Sequence, residues 1–225
     1  MRKFIDLNLK GTRINIPEML EQADKLGFSK VGVATSTIKE IESSIDIISR
    51  INLIPRNTNE LTRDLKKYRR RFEIVSVRCN SINVARQAAK DHRVDIISFP
   101  KHKNGKRRIW LDKQEANLAS ESNVVYELLF SDLLGKIGEV ASKTIYNWSR
   151  ELTNARKYDI PVLISSGASS LLGLRGPRAL ASLMVLLDVD ENEALDMVSV
   201  TPMKLVERNR RKLDEGFISP GVRVV

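Results

Sequence analysis

Seven times along the chain, a short apolar, β-branched run is followed by a stretch whose apolar residues recur at helical spacing. This alternation leaves few folds open. Consecutive strands joined by helices run parallel through right-handed crossovers, and strands buried on both faces need helices outside them. The strand signals are Phe4–Leu9, Lys30–Ala34, Ile51–Pro55, Phe72–Val77, Val94–Phe99, Val124–Leu129 and Val162–Ser165. Between them, Asn15 with Glu18, Thr37 with Glu40, Asn57 with Glu60 and Asp112 with Glu115 have capping-box spacing. The second helix carries the stripe Ile38, Ile41, Ile45 and Ile48. A helix from about Ser81 to Asp91 follows the fourth strand. A long helix presents Ile137, Val140, Ala141, Thr144, Ile145, Trp148, Leu152 and Ala155 on one face. Helices starting near Pro177, Asp190 and Thr201 close the chain.

The expected fold is a single α/β domain over residues 1–225: a distorted TIM-like (β/α) barrel of about seven parallel strands with extra C-terminal helices. An open doubly wound sheet is the weaker alternative, because no G-x-G-x-x-G turn follows the first strand. At 225 residues such a domain buries enough surface to need no disulfide, and the one cysteine, Cys79, can form none within the chain. A reducing, cytoplasmic setting is expected. The longest apolar run, Ala179–Leu187, is too short to span a bilayer, so no membrane partner is expected.

The net charge of +10 matters because of where the cations fall. In (β/α) barrels the loops after the strands build the working face. Those loops carry Lys10 and Arg13, Arg56, Arg78, the run Lys101, Lys103, Lys106, Arg107 and Arg108, and then Arg175 and Arg178. Only one acid, Asp132, is placed among them. Such a face suits phosphate backbones. With aromatics at 5%, it suits backbone contact with folded RNA better than stacking on single strands. An acidic protein partner would select the same pattern. Two further basic runs, Lys66–Arg71 and Lys204–Lys212, lie on helices and read more simply as solvated surface that complements helix dipoles.

Catalytic signals are sparse. Alternation puts Asp6 and Asn8 on one face of the first strand, near the mouth. His92 and His102, the only histidines, read as surface residues, and no imidazole cluster completes a metal site. Asp95 and Glu127 could be paired carboxylates or members of buried ion pairs. Cys79 beside Arg78 reads as structural. Ser165–Ser170 could cradle a phosphate or simply turn the chain.

Stretches spread over nearly the whole chain carry a resemblance. They are Pro55-Arg56-Asn57, Phe72–Val77, ARQAAKDHRVDIISFP at 85–100, NLASES at 117–122, PVLISSGAS at 161–169, LRGPRALASL at 174–183, VERNR at 206–210 and the ending PGVRVV. On these the chain resembles the archaeal ribonuclease P protein component 3 family, counterpart of a eukaryotic nuclear ribonuclease P and MRP subunit. The resemblance implies a barrel related to the polymerase and histidinol phosphatase metal-dependent hydrolases. Where those open with His-x-His, this chain has Asp6 and Asn8. It also implies a non-catalytic subunit of an endoribonuclease that removes the 5′ leader of precursor tRNA. The chemistry would then be done by the ribonuclease P RNA, with Mg2+ held at that RNA and no cofactor on the protein. The expected direct partner is ribonuclease P protein component 2, beside other ribonuclease P proteins, with precursor tRNA met indirectly. The competing reading is a metal-dependent phosphoesterase using Asp6, Asp95 and Glu127.

Overall fold

The computed structural model describes residues 2–34, 43–100 and 109–213, together with the backbone of 217–219 and 222–223. Seven parallel strands, β1 (Phe4–Leu9), β2 (Phe28–Val33), β3 (Asp46–Leu53), β4 (Ile74–Arg78), β5 (Ile96–Ser98), β6 (Val125–Leu129) and β7 (Val162–Ser165), pair in chain order. They curl into a nearly closed barrel. Around it lie α1 (Ile16–Lys25), α2 (Thr58–Tyr68), α3 (Ile82–Lys90), α4 (Lys113–Ser122), α5 (Gly138–Lys157), α6 (Pro177–Val185), α7 (Glu191–Asp196) and α8 (Val200–Leu213). Among the described residues, no helix is long and apolar enough to cross a membrane.

β1 and β7 form no ladder, and the gap is closed by other means. The carbonyls of Met197 and Val198, just before α8, accept from Ile164 N–H (3.3 Å) and Ile5 N–H (2.9 Å). Near the mouth, Lys10 N–H donates to the Ala168 carbonyl at 2.7 Å. α8 then stoppers the opposite end. Its Leu205 and Val206 join Ile5, Leu7, Ile48, Ile74, Ile96, Val125 and Leu163 in the inner apolar cluster. The alternate strand residues, such as Val75, Val77, Ile97, Tyr126 and Ile164, pack outward under the helices.

Several local expectations are corrected. The helix read through Ile45 and Ile48 gives way to β3, which starts at Asp46; Thr37, Ile38, Glu40 and Ile41 lie outside the described residues. The isoleucine spacing fits two periods, and here the strand preference of β-branched residues prevails. Asn15 makes no cap bond. Its Oδ1 accepts from Thr12 N–H at 2.6 Å, and its Nδ2 donates to the Ser169 carbonyl at 3.0 Å. Ile137 and Ile145 of the long-helix stripe are exposed: Ile137 precedes α5, and Ile145 lies beside its buried face of Thr144, Trp148, Glu151, Leu152 and Ala155. A short antiparallel pair, β8 (Phe217–Ser219) with β9 (Val222–Arg223), was not anticipated.

β1 is irregular in a way that matters for the site. Its pairing with β2 shifts register between Asp6 and Leu9. Leu7 and Asn8 both reach the interior, which a regular strand forbids. Gly32 on β2 makes room, since a Cβ there would sit 2.2 Å from the Leu7 carbonyl oxygen. That neighbour is backbone and has little room to move. Gly32→Ala is expected to cost more than about 3 kcal/mol, above the usual overpacking penalty, as urea unfolding would measure.

At α4, Asp112 caps as expected, accepting from Gln114 N–H (2.7 Å) and Glu115 N–H (3.0 Å). Glu115 is buried beside it, and burial plus the Asp112 carboxylate push its carboxyl up to about 7. An acid raised in the folded state adds stability below its unfolded pKa of 4.5 and loses it as pH climbs to about 7. The stability of Glu115→Gln relative to the parent should therefore rise by on the order of 2 kcal/mol between pH 4.5 and 7.5. Denaturation at the two pH values checks this.

Candidate functional site

A polar layer crosses the barrel interior just above the apolar stopper. Arg50 of β3 reaches Glu127 of β6 with two bonds, Nη1 to Oε1 at 2.7 Å and Nη2 to Oε2 at 2.5 Å, both side chains fully buried. The same guanidinium donates to the Leu7 carbonyl (2.9 Å) and to Asn52 Oδ1 (2.8 Å). Glu127 also accepts from Ser165 Oγ at 2.7 Å and Asn8 Nδ2 at 3.2 Å. Asn52 Nδ2 donates to Asn8 Oδ1 at 3.2 Å. Each nitrogen of the guanidinium and each oxygen of the carboxylate thus has a hydrogen-bond partner, as a buried ion pair requires.

Above this layer opens the mouth, a cavity of about 180 Å3. Lys10 and Arg78 line it, beside Asn8, Asn52, Ser76 and Ser98. Burial pushes the Lys10 ammonium below its usual range. The charges of Arg50 and Arg78 act in the same direction, against the pull of Glu127 and Asp132. Arg56 and Arg13 are exposed in the loops after β3 and β1. Arg175 is half-buried and committed to its own loop. It donates to the Leu172 (2.8 Å) and Leu174 (2.6 Å) carbonyls and stacks 5.1 Å over the Phe130 ring.

Arg178 is not at the mouth. It lines a groove with Arg2, Phe4, Leu26 and Gly27, beside the start of β1 at the other end of the barrel, because the chain returns across the barrel before α6 begins. Lys101, Lys103, Lys106, Arg107 and Arg108 lie outside the described residues, as does His102. That loop leaves β5 just past Ser98, a residue of the mouth cavity.

The three carboxylates of the phosphoesterase reading do not converge. Asp95 precedes β5 at the stoppered end. It accepts from Val75 N–H at 2.8 Å, pairs with Arg69 and lies 3.3 Å from Arg208. Glu127 is enclosed by Arg50. Asp6 does not share a face with Asn8, because the shift in β1 turns it to the β1/β7 seam. There its Oδ1 accepts from the backbone N–H groups of Asn8 and Ser166, both at 3.1 Å. Burial pushes its carboxyl above the usual carboxylate range. Among the described residues Asp6 Oδ2 has no hydrogen-bond partner. One orphan oxygen on a buried carboxyl, with a guanidinium already held against the nearest other acid, does not make the set of converging ligands that a divalent metal needs.

The other candidates resolve as structural. Arg69, from the second basic run, donates to the carbonyls of Phe72 and Glu73, both at 3.0 Å, as well as to Asp95. From the third run, Arg208 binds the Asn123 carbonyl, and Arg210 grips Asp46 and Glu73. Cys79 is buried and His92 exposed. In Ser165–Ser170 the Ser166 amide serves Asp6 and the Ala168 amide serves Ser166 Oγ, so the segment turns the chain. Sequence reasoning missed Arg50. Its signal was the alternation Ile48, Arg50, Asn52, visible once the third strand is extended back to Asp46.

Comparison with known proteins adds the family. The family model for RNase P subunit p30 matches residues 3–214. The ribonuclease P protein component 3 of Methanococcoides burtonii is 28% identical over 99% of this chain and 94% of its own length. A Methanococcus maripaludis protein of the same name is 31% identical over 80% of this chain and 76% of its own. A chain in the cryo-EM structure of archaeal ribonuclease P with mature tRNA shares the fold, with a TM-score of 0.83, 22% identity, and 98% and 97% of the two chains covered. Fold and sequence agree from the first strand to the last helix, and the chain belongs to the RNase P subunit p30 family.

Proposed function

We propose that this chain, as a protein subunit of ribonuclease P, binds and supports the catalytic RNA and carries no leader-removing chemistry of its own. The observation that carries this reading is the barrel interior. Where a barrel hydrolase needs free, converging metal ligands, this one holds a fully buried Arg50–Glu127 pair, with both carboxylate oxygens bonded to the guanidinium. In the complex, Mg2+ would sit at the RNA. The RNA-facing surface is the mouth face, with Lys10, Arg13, Arg56, Arg78 and the run Lys101–Arg108 as its cations. Arg175 is spent on its own loop, and Arg178 lies at the other end. Protein component 2 is the direct protein partner.

Tagged protein recovered from its native extract should bring down one dominant structured RNA together with protein component 2. Sequencing that RNA and identifying the co-purified proteins tests both. The purified chain alone should leave precursor tRNA uncut at any Mg2+ or Mn2+ concentration. Metal-dependent cleavage by the isolated protein, or recovery with acidic proteins and no RNA, would overturn the reading.

A further inference from the structure

We propose that the barrel mouth is a discrete binding site for one phosphate group of a phosphoester, held by Lys10 and Arg78 and by the amides and hydroxyls of Asn8, Asn52, Ser76 and Ser98. Among the described residues, neither the Lys10 nor the Arg78 side chain forms an ion pair or a hydrogen bond, although both line one small cavity. Among the described residues no carboxylate lines that cavity. The acid beneath it, Glu127, is fully occupied by Arg50, Ser165 and Asn8. Two cations that line one cavity with no counter-ion among the described residues, ringed by neutral donors, are complementary to an oxyanion.

Geometry narrows the ligand. Asn8 of β1, Asn52 of β3, and Ser76 and Arg78 of β4 line it from the strands, and Lys10 stands just past the end of β1, so the donors sit on or beside rigid strands. The layer under them is locked by the Arg50–Glu127 pair, and the donors are thus placed before any ligand arrives. The cavity, about 180 Å3, is smaller than the roughly 300–1,000 Å3 of pockets that engulf a drug-sized ligand. It takes a phosphate group and leaves the rest of the molecule outside. An anion between them also relieves the repulsion and desolvation that now depress the Lys10 ammonium.

The phosphate could belong to an RNA backbone or to a free phosphoester. The first source rests on the RNA-face reading above; the site itself does not. The full-length protein is titrated with inorganic phosphate against chloride at equal ionic strength and followed by 31P NMR. Saturable binding at one site is expected. Lys10→Gln/Arg78→Gln should weaken it at least tenfold with unchanged circular dichroism, since neither side chain bonds to the described structure. Lys66→Gln/Arg70→Gln removes the same charge from exposed positions on and just after α2 and should leave binding intact. Absence of saturable binding, or equal loss in both variants, overturns the proposal. Both variants are then assembled with ribonuclease P RNA. If phosphate binds but the mouth variant assembles as well as the parent, the pocket stands and serves a free phosphoester. If the mouth variant alone loses RNA affinity, the phosphate is the RNA's. If RNA binding survives without any phosphate site, the pocket fails while the face reading stands.

Discussion

Arg50→Met should destabilise the protein by about 3–5 kcal/mol, because it strands the Glu127 carboxylate inside the barrel. Ser165 and Asn8 still donate to that carboxylate, but two hydrogen bonds do not replace a bidentate cation. Glu127→Leu should cost a similar amount by leaving a buried guanidinium with only the Leu7 carbonyl and Asn52 as acceptors. Against a total stability of about 5–15 kcal/mol, either change is a large share. The pair differs from its parts. Arg50→Met/Glu127→Leu removes both charges and should recover most of the loss, since well-packed apolar replacements of buried ion pairs are often neutral. Urea unfolding of the three variants, read as a double-mutant cycle, decides it. Single variants that lose less than about 1 kcal/mol would mean that water reaches this layer. The folded fraction of the double variant should still assemble with RNA, because Arg50 and Glu127 support the mouth and do not line it.

Neutralising Lys101, Lys103, Lys106, Arg107 and Arg108 together should weaken assembly with ribonuclease P RNA by on the order of 10^2–10^4-fold near 0.1 M salt. The magnitude of the log–log salt slope should fall by up to about 5, close to one per phosphate contact removed. The loop departs from the mouth end of β5 and holds no acid in its eight positions. A suitable comparison is Lys204→Gln/Arg211→Gln on α8. Arg208 is left intact there, because it belongs to the Asp95 cluster and its loss would unsettle the stopper of the barrel. Filter binding across a salt series gives both slopes. If the α8 variant lost more affinity than the loop variant, the RNA would approach the stoppered end, and the groove beside Arg178 would become the relevant surface.

Read as a chain of residues, this protein declares its architecture. The strand–helix alternation reports burial, and burial on both faces of a strand is written locally in its β-branched residues; the seven parallel strands follow from that. The caps at Asn57, Ser81, Asp112 and Asp190 are equally local, because a cap bond spans three residues. What depends on partners distant in sequence was not legible. Arg50 and Glu127 meet across 77 positions and Arg208 and Asp95 across 113; no spacing rule pairs them. The register shift in β1, which sends Asp6 to the seam and Asn8 to the interior, arises where Gly32 lets one backbone press on another. Arg178 shows the same limit, since a loop position after a strand indicates the mouth only if the chain stays there. Charge count and period belong to the sequence. Which cations stand unpaired around a cavity, and which are spent on a buried acid, only the closed barrel decided.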